Sequence, residues 1–144
     1  MDLSGTWLAA PADESLRRAF HSPDFGDAAW EALEVPGHWT ESAALENETS
    51  VLYRKDFEHS IPAVDDGRSW LELDGIFYQG DVWLDGVYVG DTEGYFIRHA
   101  FDVTEALRAR NEHNLSVEVN CSPGGANAKR RGLLGVFEAG NDMV

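Results

Sequence analysis

The sequence predicts an all-β protein that folds as an antiparallel β-sandwich, with one or two short helices. About seven short segments of strand character follow one another at roughly regular spacing. Asp85-Gly86 joins two of these segments by a tight turn, and His113 to Asn120 alternates apolar and polar residues. At 144 residues the chain has the length of one domain with a sizeable core. We therefore expect a single domain over residues 1–144.

The N-terminal part alternates predicted strands with turns and loops. An apolar stretch from Leu3 to Ala9 predicts a first strand, and Glu31 to Val35 predicts a second that Pro36-Gly37 ends. From Thr40 to Ser50 the chain is polar and acidic with little periodicity, which indicates a surface loop. Strand character resumes over Val51 to Glu58, so we expect a longer strand there.

Two short helices and a further strand complete this pattern. Asp13 is expected to cap a helix that extends to Phe20, and Asp102 or Thr104 to cap a second helix of one or two turns. A turn at Asp65-Asp66-Gly67 precedes alternating residues from Trp70 to Asp74, which predict a strand with one buried side.

The best-defined predicted element is a β-hairpin around Asp85-Gly86. This pair is typical of a two-residue type I′ turn, which needs φ > 0 at both positions. A two-residue loop pairs the flanking strands in a fixed register. The expected pairs are Leu84 with Val87, Trp83 with Tyr88, and Val82 with Val89. Both faces of the ribbon are then apolar, so we expect both to be covered.

The strand from His113 to Asn120 predicts which way its residues face. Leu115, Val117 and Val119 share one side, and polar residues share the other. Such alternation is typical of a sheet that packs one face on the core and leaves the other in water.

Charge and cysteine content exclude several classes of function. The 11 basic and 26 acidic residues give a formal charge of −15, which would repel nucleic acids and anionic membrane surfaces. No N-terminal export signal and no apolar run of the roughly 20 residues needed to span a bilayer is evident. Cys121 is the only cysteine, so a reducing, cytoplasmic compartment is expected. No metal or other cofactor is expected, and His38 lacks a second ligand at the usual helical or strand spacing.

A series of short motifs resembles one known family along residues 3 to 120. The motifs are Leu3-Ser4-Gly5-Thr6-Trp7, Val35-Pro36-Gly37-His38-Trp39, Leu52-Tyr53-Arg54-Lys55-Asp56-Phe57, Leu73-Asp74-Gly75-Ile76, Asp81 to Gly90, Phe101-Asp102-Val103-Thr104 and Asn114-Leu115-Ser116-Val117. In order and spacing they resemble the N-terminal sugar-binding domain of glycoside hydrolase family 2, the β-galactosidase, β-glucuronidase and β-mannosidase family. The family more often has Asn-Gly at the hairpin turn, where this chain has Asp85.

The resemblance implies a jelly-roll sandwich of the galactose-binding type and a non-catalytic role. In the family this domain precedes an immunoglobulin-like sandwich and a TIM barrel, and the barrel carries the two catalytic glutamates of a retaining hydrolysis. Both downstream domains are expected to be absent from this chain. So is the strand that closes the sandwich, because the chain stops at Val144. We therefore expect no catalytic residue within residues 1–144.

Three residues are candidates for contact with carbohydrate. Asn47 resembles a loop asparagine that the family lends to the barrel pocket, where an amide can serve sugar hydroxyls. The alternative is an Asn in an exposed turn. Trp39 could stack on a sugar ring, or else be a buried tryptophan at a domain interface. Asp142 is the nearest match to an acidic residue that the family places before the closing strand.

Three functions remain open from the sequence. The first is a supporting domain of a family 2 glycosidase, which would border a barrel active site. The second is a free-standing carbohydrate-binding module that uses exposed aromatic residues. The third is a chain without independent function that forms a homo-oligomer through an open sheet edge.

Overall fold

The computed structural model describes residues 1–62, 67–94, 96–121 and 132–133, the last two by their backbone alone. Within these ranges the chain forms ten strands, two short α-helices and one 3₁₀ turn. The strands are β1 (Gly5–Pro11), β2 (Glu31–Val35), β3 (Gly37–His38), β4 (Ser50–Glu58), β5 (Trp70–Leu73), β6 (Gln79–Leu84), β7 (Val87–Glu93), β8 (His99–Asp102), β9 (Glu112–Asn120) and β10 (Gly132–Leu133). The helices are α1 (Glu14–Arg17) and α2 (Thr104–Ala109), and the 3₁₀ turn is Trp39–Glu41.

Six antiparallel strands form the larger layer, in the order β2-β1-β4-β9-β6-β7. The pair β4 and β9 lies at its centre and is in register over nine residues, from Ser50 opposite Asn120 to Glu58 opposite Glu112. β-Branched and aromatic residues fill this pair, with Val51 opposite Val119 and Tyr53 opposite Val117. All four side chains are buried, so the β4–β9 pair contributes the central part of the larger sheet to the hydrophobic core.

The second layer consists of two short antiparallel pairs, β5 with β8 and β3 with β10. Leu71 and Leu73 of β5 are buried against the larger sheet, in one cluster with Trp7, Val82 and Val117. The predicted antiparallel β-sandwich is therefore confirmed. The sequence pattern missed β3 and β10, because a strand of two residues leaves no alternation to detect.

One predicted face of the larger sheet is wrong. Leu115, Val117 and Val119 are fully buried as expected, but Asn114 and Ser116 on the opposite face are also buried. The segment that follows α1 lies over Ser116, whose hydroxyl donates to the Phe20 carbonyl oxygen at 3.4 Å. The Asn114 amide donates to Asp56 Oδ1 at 2.7 Å. Water is excluded from this part of the face because a loop, and not the sandwich partner, packs on it.

Both helices lie close to the predicted positions and are held by carboxylates. Asp13 Oδ1 accepts from the backbone N–H groups of Ser15 and Leu16 at 2.8 Å each, as expected for a cap. The first helix ends at Arg17, before the predicted limit at Phe20. The N-cap of the second helix is Val103, which makes no side-chain cap bond, so the prediction of Asp102 or Thr104 as the cap is wrong. Asp102 Oδ1 instead accepts from the backbone N–H and the hydroxyl of Thr104, the first helical residue.

The predicted loop from Thr40 to Ser50 is observed over residues 42–49, because the 3₁₀ turn includes Thr40 and Glu41 and β4 begins at Ser50. The predicted turn at Asp65-Asp66-Gly67 lies mostly outside the described residues. Neither helix in the described part of the chain is long and apolar enough to cross a bilayer.

Candidate functional site

Asn47 lies where a loop asparagine can reach a partner outside the domain. Its side chain is exposed, and its amide makes one long contact of 3.4 Å with Glu46 Oε1. The loop is anchored on both sides, because Leu45 is fully buried and the Thr49 carbonyl accepts from the Cys121 N–H at 2.8 Å. Asn47 is therefore exposed on a loop that is anchored at both ends. Its role in sugar binding stays a prediction.

The other two candidate sugar contacts are placed differently. Trp39 is 0% exposed and packs in the hydrophobic core. Its ring has no face open to a ligand in this conformation, so its position agrees with the buried alternative. Asp142 lies outside the described residues. Of the two described candidates, Asn47 is exposed and Trp39 is buried, so they do not form one open site.

The hairpin turn has the predicted geometry. Asp85 and Gly86 have φ values of 53° and 82°, as a type I′ turn requires. The predicted pairs Trp83 with Tyr88 and Leu84 with Val87 are confirmed. Val82, however, lies opposite Gly90, because a β-bulge makes Val89 an extra residue in β7.

The aromatic face of the hairpin is covered over Trp83 and open over Tyr88. The Trp83 ring stacks on His21 at 5.6 Å and meets the edges of Phe20 and Tyr88 at 5.2 and 5.5 Å. Tyr88 is 50% exposed, and its hydroxyl donates to Asp81 Oδ1 at 3.0 Å. Desolvation, followed by the hydrogen bond to Asp81, raises the pKa of Tyr88 to about 12.

A buried arginine fixes the segment that covers Trp83. Arg54 on β4 is 2% exposed and donates from Nε to Asp27 Oδ2 at 2.7 Å. Its Nη1 donates to the carbonyl oxygens of Phe20 and Ser22. One guanidinium therefore binds three points of the loop after α1, which uses the fork of donors that only arginine has.

Asp85 has a second role beyond the turn. Its carboxylate accepts from the Asn114 N–H at 2.9 Å and contacts His113 Nδ1 at 2.8 Å. His113 Nε2 lies 3.0 Å from the His59 carbonyl oxygen, so the buried imidazole links the hairpin turn to the end of β4. Sequence spacing gave no signal for this cluster, because Asp85 and His113 are 28 residues apart.

The carboxyl groups with lowered pKa values all accept hydrogen bonds from a serine or threonine two residues further along the chain. The pKa of Asp13 is lowered by the hydrogen bond from the Ser15 hydroxyl, and that of Asp102 by the Thr104 hydroxyl. The pKa of Asp2 is lowered in the same way by Ser4. A carboxyl group that acts as a general acid needs the opposite shift, towards neutral pH. No group of three or more potential metal ligands occurs among the residues that the structure describes.

The fold and this geometry define a jelly-roll β-sandwich domain. Its buried polar residues form hydrogen bonds that hold loops and strands together. A family model described as "Glycosyl hydrolase 2 galactose-binding domain-like" matches residues 35–138. The chain belongs to glycoside hydrolase family 2, as this galactose-binding-like domain. The predicted family resemblance is thereby confirmed.

Relatives with known activities agree with this assignment. β-Galactosidase BgaC of Bifidobacterium adolescentis is 31% identical over 134 residues, covering 68% of this chain and 13% of that protein. β-Mannosidase B of Aspergillus clavatus is 35% identical over 77 residues, covering 53% of this chain and 9% of that protein. The chain thus spans about a tenth of the length of these relatives.

Solved structures share the fold. The β-glucuronidase of Bifidobacterium dentium, solved with coumarin-3-O-glucuronide, superposes with a TM-score of 0.66 at 26% identity. The match covers 82% of this chain and 19% of that one. The Faecalibacterium prausnitzii β-glucuronidase gives a TM-score of 0.70 at 20% identity, over 83% of this chain and 20% of that one.

Proposed function

We propose that the chain acts as the non-catalytic N-terminal domain of a family 2 glycosidase, whose whole chain hydrolyses O-glycosidic bonds of β-glycosides. The domain supports the catalytic part and borders its pocket. The observation that carries this proposal is the family match over residues 35–138, in a chain that spans only 9% to 13% of the relatives named above.

The geometry of the described residues favours a structural, non-catalytic role. Two pairs of polar residues hold loops and strands to each other, namely Arg54 with Asp27 and Asp85 with His113. The carboxyl groups with lowered pKa values accept local hydrogen bonds, and one of them, Asp13, caps the first helix. Asn47 is the candidate through which the domain would contact a sugar in the neighbouring pocket, because its amide is exposed on an anchored loop.

Assays of the isolated chain test the absence of catalysis. Purified residues 1–144 should release no nitrophenol above background from nitrophenyl β-D-galactoside, β-D-glucuronide or β-D-mannoside. Turnover that survives repurification and is removed by a substitution in this chain would overturn the proposal. Far-UV circular dichroism would show that the assayed sample is folded.

The two alternative functions have less support. A free-standing carbohydrate-binding module that stacks sugars on Trp39 would need the ring to leave the core, since its side chain is fully buried. Calorimetry with mono- and oligosaccharides would test binding directly. Self-association through an open edge and a cytoplasmic location both stay predictions.

A further inference from the structure

His113 is a buried histidine whose two ring nitrogens both face hydrogen-bond acceptors. Nδ1 lies 2.8 Å from Asp85 Oδ2, and Nε2 lies 3.0 Å from the His59 carbonyl oxygen. The side chain is 0% exposed, and Phe57 stacks on its face with the ring centroids 5.2 Å apart. Solvent therefore does not reach the ring, and these two oxygens are the groups that its nitrogens meet.

A neutral imidazole cannot satisfy both contacts. It carries one N–H and one lone pair, so either tautomer turns a lone pair towards an acceptor oxygen. A buried contact of that kind costs free energy, because neither atom has a proton to share. The imidazolium form has an N–H on each nitrogen and donates to Asp85 and to His59 at once. The geometry therefore requires one proton more than a neutral imidazole and a carboxylate hold between them.

The groups around Asp85 assign this proton to His113. Arg110 Nε lies 3.9 Å from Asp85 Oδ2, and a guanidinium beside a carboxyl group favours its ionised form. The Asn114 N–H donates to Asp85 Oδ1 at 2.9 Å, which favours the carboxylate as well. The pair is therefore an imidazolium and a carboxylate in hydrogen-bond contact.

The other titratable groups on the neighbouring elements are bound elsewhere or turned away. Lys55 shares a face of β4 with Phe57, and its Nζ donates to the Thr6 carbonyl oxygen at 2.9 Å. His59 reaches the ring through its backbone carbonyl. The alternation of β4 and β9 turns three acidic residues to the opposite face of the sheet, namely Asp56, Glu58 and Glu112.

We propose that His113 and Asp85 form a proton-dependent link that holds the tip of the β6–β7 hairpin to the ends of β4 and β9. With its second proton, the ring joins Asp85 to the His59 carbonyl. When that proton leaves, one ring nitrogen faces an acceptor with no proton between them, and the turn is held less firmly. The stabilisation is present while His113 and Asp85 are both charged, and it is lost as the pH rises through the deprotonation of His113. Val87 and Tyr88 beyond the turn are 66% and 50% exposed, so the proton controls how firmly this surface is held.

Nuclear magnetic resonance of the ¹⁵N-labelled chain tests the link directly. Long-range proton–nitrogen spectra of the His113 ring report the protonation of each nitrogen, from about pH 5 to about pH 9. At the acid end both nitrogens should carry a proton. As the ring loses one, exchange of the Asn114 amide, corrected for its intrinsic pH dependence, should quicken by at least about tenfold. The Val117 amide, further along β9, is the internal control and should not change.

Two variants separate the contribution of Asp85 from that of His59. In Asp85→Asn, the new amide nitrogen can donate to Nδ1 of a neutral ring while its oxygen accepts from Asn114, so no second proton is needed. This variant should hold a neutral ring and show no pH-dependent change in Asn114 exchange. His59→Gln is the matched control, because it keeps the backbone carbonyl and removes the other titratable ring. It should respond to pH as the wild-type chain does.

The wild-type chain alone can overturn the proposal. Folded protein whose His113 ring carries a single proton throughout the pH range would refute the link. So would a ring that titrates while the Asn114 amide exchanges at an unchanged corrected rate. The same pH response in Asp85→Asn, or its loss in His59→Gln, would assign the effect to another group and contradict the role of the His113–Asp85 pair.

Discussion

Arg54 on β4 and Asp27 in the loop before β2 form an ion pair at 2.7 Å, with the arginine side chain only 2% exposed. The same guanidinium donates to two carbonyl groups of that loop. The loop in turn covers Trp83 and the outer face of β9. This one side chain therefore holds the segment that lies over Trp83 and Ser116 on the outer face of the larger sheet.

Removing Arg54 should destabilise the domain strongly. Arg54→Met keeps the apolar length of the side chain but leaves Asp27 and two loop carbonyls without their donor. We expect a loss of about 3 kcal/mol in the free energy of unfolding, measured by urea denaturation. Arg18→Met is the control, because the Arg18–Glu14 pair lies at the surface and contributes little. A similar small loss in both variants would contradict the assigned role of Arg54.

The Asp85 carboxylate should matter as an acceptor as well as a turn residue. Asp85→Ala loses the contacts to Asn114 and His113 and puts alanine at a positive φ, so we expect about 2–3 kcal/mol of destabilisation. Asp85→Asn tolerates the turn and keeps one acceptor oxygen, and it should lose about 1 kcal/mol or less. The two variants can be compared by urea denaturation. Equal losses would argue against this division of roles.

Tyr88 should ionise at a higher pH in the folded state than in the unfolded state. Its pKa is raised to about 12, so it stays neutral in the folded state at pH values where an unfolded tyrosine, with a pKa near 10.0, has ionised. The associated stability is present below about pH 10 and is lost as the pH rises from about 10 to 12. An absorbance titration should show a late step that Tyr88→Phe removes. Asp81→Asn should shift this step to lower pH.

Gly90 should resist replacement because of its neighbour on β8. Its φ is 153°, and a Cβ built there would overlap the Phe101 ring. Gly90→Ala should lower the free energy of unfolding by about 1–3 kcal/mol. The matched control is Gly26→Ala, since a Cβ at Gly26 meets nothing within 4 Å. Thermal unfolding of both variants measures the difference, and equal melting temperatures would contradict the close packing of β7 on β8.

Local sequence patterns predicted most strands and the hairpin turn. The features that they missed depend on contacts between residues far apart in the chain. Asp85-Gly86 needs no partner to favour a type I′ turn, so the hairpin was predictable. The bulge at Val89 was not, because nothing in the alternation of that strand marks an extra residue. Ser116 looked solvent-exposed because its cover, Phe20, lies 96 residues away in the chain.

The candidate site was less predictable than the fold for the same reason. Asn47 was found through family resemblance, and its exposure is compatible with that interpretation. A tryptophan at position 39 is compatible both with sugar stacking and with a place in the core. Only the three-dimensional structure, in which its side chain is buried, distinguishes the two.

A chimera tests the central claim most directly, that this chain is a working N-terminal domain of a family 2 glycosidase. Residues 1–144 would replace the matching N-terminal segment of Bifidobacterium adolescentis β-galactosidase BgaC, beside a variant that lacks the segment. We predict that the folded chimera hydrolyses nitrophenyl β-D-galactoside well above the deletion variant. A folded chimera that is as inactive as the deletion variant would contradict the account.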